Sequence, residues 1–288
     1  MKKYLKLIRP KHYVKNGLVL LPLIFNGQML DTSLWIQTVL CLITFCFISS
    51  FVYIINDIKD APLDRMLPEK CNRPIANGEV SNKAAYVLSA IMLILSTVTN
   101  YFACGFNISA WAIVVLYLVL NIFYSMGFKN VPIVDIAILV SGFLLRMLYG
   151  SSITGIEISK WLYLTVLSMS FYLGLGKRRN EIATTDGTAR KVLNFYNYNF
   201  LDKNMYMSLA LTIVFYALWS VDSVTTARLG NNLVWTVPLV ILICMKYSLI
   251  VEGKSNGDPV EVIFKDKILL GLIGIFGIIT VGIIYCQL

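Results

Sequence analysis

Residues 56–64 read Asn56-Asp57-Ile58-Lys59-Asp60-Ala61-Pro62-Leu63-Asp64. On a helix, at about 100° per residue, Asn56, Asp57, Asp60 and Asp64 point at about 0°, 100°, 40° and 80°, within one quadrant. Three like charges on one face repel each other. A hard divalent cation with oxygen ligands relieves that repulsion, and Mg²⁺ held together with a phosphate group is the usual form. A solvated acidic helix end at a membrane edge is the plainer alternative. It does not explain why every carboxylate is aimed the same way. Pro62 lies inside the stretch, removes an amide donor and crowds the preceding turn, so a broken or loosened helix end is expected there.

The elements that must carry these residues are membrane helices. The chain of 288 residues is 57% hydrophobic and 14% charged, with a mean hydropathy of +0.71. A soluble domain is charged at about 25%. Long unbroken apolar runs exclude a β-barrel and predict an all-α polytopic bundle. Nine spans are expected, at about 14–30, 34–56, 84–104, 108–127, 131–150, 160–176, 205–224, 232–251 and 267–287. The first is short and holds Pro22. The second delivers the acidic stretch. No Gly-, Ser- or Pro-rich linker divides the chain, so residues 1–288 are expected to form one transmembrane domain.

Charge gives the topology. With the N-terminus inside, 21 of the 25 lysines and arginines fall in the segments 1–15, 56–83, 128–130, 177–204 and 252–267. This asymmetry predicts a cytoplasmic N-terminus and an outside C-terminus, with the acidic stretch, Lys129 and the loop from Lys177 all on the cytoplasmic side. The net charge of +9 is therefore read as membrane topology and not as nucleic-acid binding. The six cysteines form no CxxC pair and read as small hydrophobes, and His12 is the only histidine.

Further candidates share the expected cytoplasmic side. Gly176-Lys177-Arg178-Arg179-Asn180-Glu181 places three cations in a row, with Arg190 and Lys191 beyond. They suit phosphate, which arginine takes bidentately, or they are ordinary topology-setting charge. Lys129 stands in a very short loop after Tyr124-Ser125, either a snorkelling lysine or a ligand. Asp135 reads first as a helix-start residue. Arg146, eleven residues on, must face the bundle interior, where a structural ion pair ranks ahead of substrate contact. Lys15-Asn16 opens the first span.

These residues resemble the UbiA superfamily of intramembrane prenyltransferases. Asn56, Asp57, Asp60 and Asp64 match its NDxxDxxxD motif. The run Arg65-Met66-Leu67-Pro68-Glu69-Lys70-Cys71-Asn72-Arg73-Pro74-Ile75-Ala76-Asn77-Gly78 is similar to the segment that follows. Members using a prenyl diphosphate carry a second DxxxD motif after the sixth span, where this chain has Lys177 to Glu181. The pattern instead resembles the decaprenyl-phosphate phosphoribosyltransferase branch, through Arg9-Pro10, Lys15-Asn16, Tyr124-Ser125, Lys129, Asp135, Arg146 and the Gly-Lys-Arg segment. The resemblance implies an Mg²⁺-dependent transfer from 5-phosphoribosyl diphosphate to a polyprenyl phosphate in the cell membrane, supplying a surface-polymer precursor. Asp57, Asp60 and Asp64 would be catalytic, holding Mg²⁺ with Asn56. Arg65, Lys70, Arg73 and Lys129 would neutralise phosphate oxygens, and Lys177, Arg178 and Arg179 would hold the 5-phosphate or the lipid phosphate. Lys15, Asn16, Tyr124, Asp135, Arg146 and Glu181 complete the implied substrate site. A prenyl transfer from a prenyl diphosphate to an aromatic or other acceptor is the alternative, and a homo-oligomer is left open.

Overall fold

The structure, a computed structural model, describes residues 2–67, 70–185, 191–253, 255 and 257–286. Pro68, Glu69 and Arg190 lie outside the described residues. Among those described there are helices and no strand. The α-helices are α1 (Lys2–Ile8), α2 (Leu21–Phe25), α3 (Trp35–Asp64), α4 (Asn82–Cys104), α5 (Ile108–Met126), α6 (Val134–Thr154), α7 (Lys160–Thr185), α8 (Tyr198–Val221), α9 (Ser223–Leu229), α10 (Val237–Glu252), α11 (Pro259–Lys265) and α12 (Lys267–Cys286).

Seven of these elements are long and apolar enough to cross a membrane: α3 with its leading turn, α4, α5, α6, α8, α10 with its leading turn, and α12. Large apolar side chains such as Ile94, Phe102, Val115, Leu249 and Ile278 are exposed on them. That is the surface lipid requires, and the chain is a multi-pass membrane protein. The expected count of nine is approximate, and the two departures have physical causes. The first expected span is a 3-10 helix, Pro10–Leu20, followed by the short α2. At about 2 Å rise per residue, those eleven residues cover more length than an α-helix would. The sixth, α7, is 26 residues long, but its cations continue the helix instead of ending it. Where a loop was expected from Lys177, α7 continues to Thr185.

Pro62 also departs from expectation. α3 runs through it to Asp64, and Arg65 N–H donates to Ala61 O at 3.2 Å. Pro62 sits in the last turn with its ring exposed, so one lost bond is offset by the long helix before it.

The chain falls into two compact units. Unit 1 holds Met1–Leu21, Asp31–Lys129 and Leu145–Ile156. Unit 2 holds Pro22–Leu30, Asn130–Leu144 and Glu157–Leu288. In unit 1, α3 packs along α4, and Phe45, Ile48, Tyr117 and Tyr149 form a buried aromatic-aliphatic core. A second cluster joins Leu7 of α1 to Ile54, Ile58 and Ile75. In unit 2, α7 packs along α8, and Trp219 sits at the centre of a core with Tyr216, Leu229, Leu233 and Ile284.

One glycine in unit 1 is fixed by close approach. A Cβ on Gly150 would lie 2.1 Å from the carbonyl oxygen of Val19, so α6 can touch the 3-10 segment only without a side chain there. Gly150→Ala is expected to destabilise the protein by about 1–3 kcal/mol through this backbone clash. A lowered apparent melting temperature in detergent checks it, beside an unaffected Gly17→Ala, where the added Cβ meets nothing within 4 Å.

Candidate functional site

The carboxylates at the end of α3 are each matched by a cation from another segment of unit 1. Arg9 Nη2 donates to Asp57 Oδ1 at 2.6 Å. Arg73 Nη1 reaches both Asp57 Oδ1, at 3.1 Å, and Asp64 Oδ2, at 2.8 Å. Lys129 Nζ pairs with Asp60. Asp57 and Asp64 are seven residues apart, two helical turns, and so share one arginine, while Asp60 turns to a different partner. Asn56 accepts a hydrogen bond from Ser125 Oγ. Asp57 and Asp64 are buried, and Asp60 is partly exposed.

Local structure aims the cations. Arg9 is in the left-handed region, φ +56° and ψ +57°, where α1 gives way to the Pro10 helix. This unfavourable conformation for a non-glycine residue turns the guanidinium onto Asp57, with its Cζ 5.3 Å from the Tyr53 ring centroid. Burial works against the charge on Arg9, but neighbouring Asp57 outweighs it, and the pKa is held above the usual arginine value. Arg73 comes from the loop after α3, which Arg65 ties down by donating from Nε to Ala76 O at 3.0 Å. Lys129 comes from the 3-10 turn Phe128–Asn130. Lys129 is the counter-ion of Asp60.

Other expected residues of unit 1 are interior. Asn16 is fully buried; its Nδ2 donates to Ser49 Oγ at 3.3 Å and to Cys46 Sγ at 3.4 Å. Its Oδ1 accepts from Arg146 Nε at 2.7 Å, and Arg146 Nη2 donates to Tyr117 OH at 3.1 Å. The Arg146 guanidinium also lies over the rings of Tyr117 and Phe45. Tyr124 is buried, while Lys15 and Lys70 are half-buried.

Unit 2 holds a separate charged cluster. Arg178 and Asp135 are both fully buried, with Arg178 Nε donating to Asp135 Oδ2 at 2.5 Å. Arg178 Nη1 also meets Glu181 Oε2 at 2.7 Å, and Tyr196 OH donates to Asp135 Oδ1 at 2.6 Å. Burial, and the bond to Asp135, push the Tyr196 phenol above its ordinary pKa. Arg179 Nε pairs with Asp202 at 2.5 Å and lies over the Tyr198 ring, while Lys177 Nζ stands 3.7 Å from Asp258.

The Lys177-Arg178-Arg179 triplet therefore does not form one phosphate claw. Successive helical side chains diverge by about 100°, so the three neighbours turn to different carboxylates: Lys177 to Asp258, Arg178 to Asp135 and Glu181, and Arg179 to Asp202. Asp135, read as a helix-start residue, does stand in the first turn of α6, but its side chain is the buried partner of Arg178. Sequence reasoning gave no role to Tyr196 or Asp202; a lone tyrosine or aspartate carries no spacing signal. Arg9 was visible only as a basic residue before a proline.

The donor set at the end of α3 fits a hard divalent cation, being three carboxylates and an amide oxygen. Among the described residues no three acidic, histidine or cysteine side chains converge on one point as they stand. The fit rests on exchange: Arg9, Arg73 and Lys129 can pass to phosphate oxygens and free the carboxylates.

Comparison with known proteins agrees over most of the length. The family model described as the UbiA prenyltransferase family matches residues 20–265. The decaprenyl-phosphate phosphoribosyltransferase of Corynebacterium glutamicum is 33% identical, covering 96% of this chain and 85% of the relative. The protein of the same name from Mycobacterium tuberculosis is 30% identical, covering 96% and 92%. A UbiA homolog from Archaeoglobus fulgidus, solved with GPP and Mg²⁺, superposes with a TM-score of 0.70 at 20% identity, covering 98% of this chain and 97% of that one.

The buried pair in unit 2 has a direct test. Asp135→Asn leaves Arg178 without one of its carboxylates inside an apolar surround. It is expected to cost about 3 kcal/mol, read as a lower apparent melting temperature of the purified protein. An unchanged melting temperature would mean that the Asp135–Arg178 pair does not support the fold.

Proposed function

This chain belongs to the UbiA prenyltransferase family, and within it we propose that the protein transfers 5-phosphoribosyl from phosphoribosyl diphosphate to a polyprenyl phosphate at the cytoplasmic face of the cell membrane. One observation carries this reading: each carboxylate of the α3 end is matched by a cation drawn from a different segment, Arg9, Arg73 or Lys129. Such a charge-balanced cluster accepts a diphosphate by exchange. Relatives at about 30% identity across nearly the whole chain bear the name of this reaction. The basic Lys177–Arg179 segment, where prenyl-diphosphate users would carry a second acidic motif, argues for the same donor.

In the reaction the bond between ribose C1 and the diphosphate oxygen breaks with its electron pair leaving on diphosphate. A new bond forms from C1 to an oxygen of the lipid phosphate, and the products are polyprenylphosphoryl-5-phosphoribose and diphosphate. Asp57, Asp60 and Asp64, with Asn56, would hold Mg²⁺, which would supply charge neutralisation to the leaving diphosphate. Arg9, Arg73 and Lys129, exchanged from the carboxylates, would neutralise the departing oxygens. The attacking lipid oxygen is already anionic, so no general base is required, and His12 need not act. Lys177 is the cation of the triplet we assign to a phosphate, since its side chain is the most exposed of the three. Arg178 instead fixes the end of α7.

The test supplies purified full-length protein with labelled phosphoribosyl diphosphate, MgCl₂ and decaprenyl phosphate. Lipid-linked phosphoribose is expected, with loss on adding EDTA. Prenyl transfer from a prenyl diphosphate in place of it would overturn the donor assignment. Lys129→Met is expected to lower kcat/KM on the order of 100-fold, because a cation matched to developing charge is lost. A variant with normal kcat/KM would exclude Lys129 from the reaction.

A further inference from the structure

Unit 2 holds a cavity of about 110 Å³ at the end of α7 remote from Lys177. Its walls come from three stretches of that unit: residues 22–26, residues 157–162, and α9 with Trp219 of α8. α7 starts at Lys160 and reaches Lys177 seventeen residues later, about 26 Å at 1.5 Å per residue. No residue of the α3 end lines the cavity. α8 and α12 are long and apolar enough to cross the membrane, and they end on this side, at Val221 and Cys286. Trp235, in the turn that opens the α10 span on the same side, is 76% exposed, as suits an indole at a membrane interface. The cavity therefore lies at the level of lipid headgroups.

Its first wall is tied down from several directions. Asn26 accepts a hydrogen bond from Arg228 Nη1. Met29 N–H donates to Tyr285 OH at 2.9 Å, and that hydroxyl donates to Ile24 O at 3.1 Å. Phe25 meets the buried Trp219 edge-on, with ring centroids 5.3 Å apart. Within this preformed space stand one carboxylate, Glu157, and one guanidinium, Arg228, which do not pair. The partner of Arg228 among the described residues is Asn26, and the Glu157 side chain has none among them. Two opposite charges thus face one small space without cancelling each other. Membrane topology does not account for Arg228, which lies outside the five segments that hold 21 of the 25 lysines and arginines. A neighbouring cavity of about 300 Å³ shares Arg228 and Leu229 and is lined on its other side by Ile283 and Ile284 of α12.

We propose that this cavity binds the headgroup of a zwitterionic phospholipid bearing a primary ammonium, with the phosphate on Arg228 and the ammonium on Glu157. Arginine takes phosphate oxygens through charge-assisted hydrogen bonds, and a carboxylate accepts the N–H donors of an ammonium in the same way. The neighbouring cavity, with its apolar isoleucines, gives the glycerol end of the lipid a place beside Arg228. A trimethylammonium has no N–H to offer Glu157, and Phe25 and Trp219 pack edge-on against each other instead of forming an aromatic cage for it. An anionic headgroup would meet Arg228 but be repelled by Glu157. The site is therefore selective among lipids of similar size, and it does not depend on which reaction the protein performs.

Lipid retention tests it without turnover. Detergent-solubilised full-length protein is titrated separately with phosphatidylethanolamine, phosphatidylcholine and phosphatidylglycerol, and bound lipid is counted by native mass spectrometry. Wild type is expected to retain phosphatidylethanolamine about tenfold more tightly than either of the others. Glu157→Gln is expected to abolish that preference while leaving the melting temperature unchanged, since the native carboxylate has no partner among the described residues. Arg228→Gln is expected to weaken all three lipids. Lys160→Gln, one residue beyond the cavity lining, is expected to change none of them. Should Arg228→Gln lower the melting temperature through its lost bond to Asn26, the Glu157→Gln arm decides alone. Wild type with no preference for phosphatidylethanolamine would overturn the proposal, as would an unaltered preference in Glu157→Gln. An equal loss in Lys160→Gln would also overturn it, because diffuse surface charge would then explain the binding.

Discussion

The structure around the α3 end depends on a buried carboxylate held between two arginines. Asp57 is 3% exposed, and an unpaired charge at that depth is costly. Arg9 and Arg73 meet it from opposite sides in sequence, 48 and 16 residues away. The requirement to pair one carboxylate therefore fixes the N-terminal arm, the helix end and the following loop together. It also explains the left-handed Arg9. A local backbone cost of about 1–3 kcal/mol is sustained where a buried charge would otherwise lack a partner.

The same pairing gives the site its chemical capacity. Asp57, Asp60 and Asp64 are matched by Arg9, Arg73 and Lys129, so the cluster is nearly neutral at rest. Under the reaction proposed above, a polyphosphate arriving with a divalent cation would offer each partner an equivalent: phosphate oxygens for the cations and a metal for the carboxylates. Exchange of this kind conserves the number of ionic contacts, which limits the desolvation cost of binding. A helix bearing three uncompensated carboxylates would have no such counter-charge to hand over.

Much of this was legible in the residues, and what was not has a common cause. The acidic stretch showed itself through i, i+4 and i+8 spacing from Asn56, and the helices showed themselves through apolar length. Side-chain direction beyond that spacing was not legible. Lys177, Arg178 and Arg179 read as one basic patch because they are adjacent in sequence, yet α7 continues through them and turns each to its own carboxylate. Pro62 read as a break, but a proline in the last turn forfeits only one bond. Partners supplied from distant loops, such as Tyr196 to Asp135, leave no local trace at all.

The two buried arginines show how an apolar bundle chooses between binding a charge and neutralising it. Arg178 meets two carboxylates, Asp135 and Glu181, in a fixed geometry. Such a pair stabilises position more than it adds net energy, and it anchors α7 beside the segment that carries Tyr196. Arg146 is handled through softer groups: the Asn16 amide oxygen, the Tyr117 hydroxyl and the faces of Phe45 and Tyr117. Those contacts orient the guanidinium inside the bundle. One helix, α6, carries Asp135 in unit 2 and Arg146 in unit 1, eleven residues apart. Its sequence thus has to meet two different demands, a carboxylate that pairs with a buried arginine and an arginine oriented by an amide, a hydroxyl and two rings. That is a constraint of pairing rather than of hydrophobic pattern, and it is why the apolar periodicity of α6 alone said so little about the chemistry at either position.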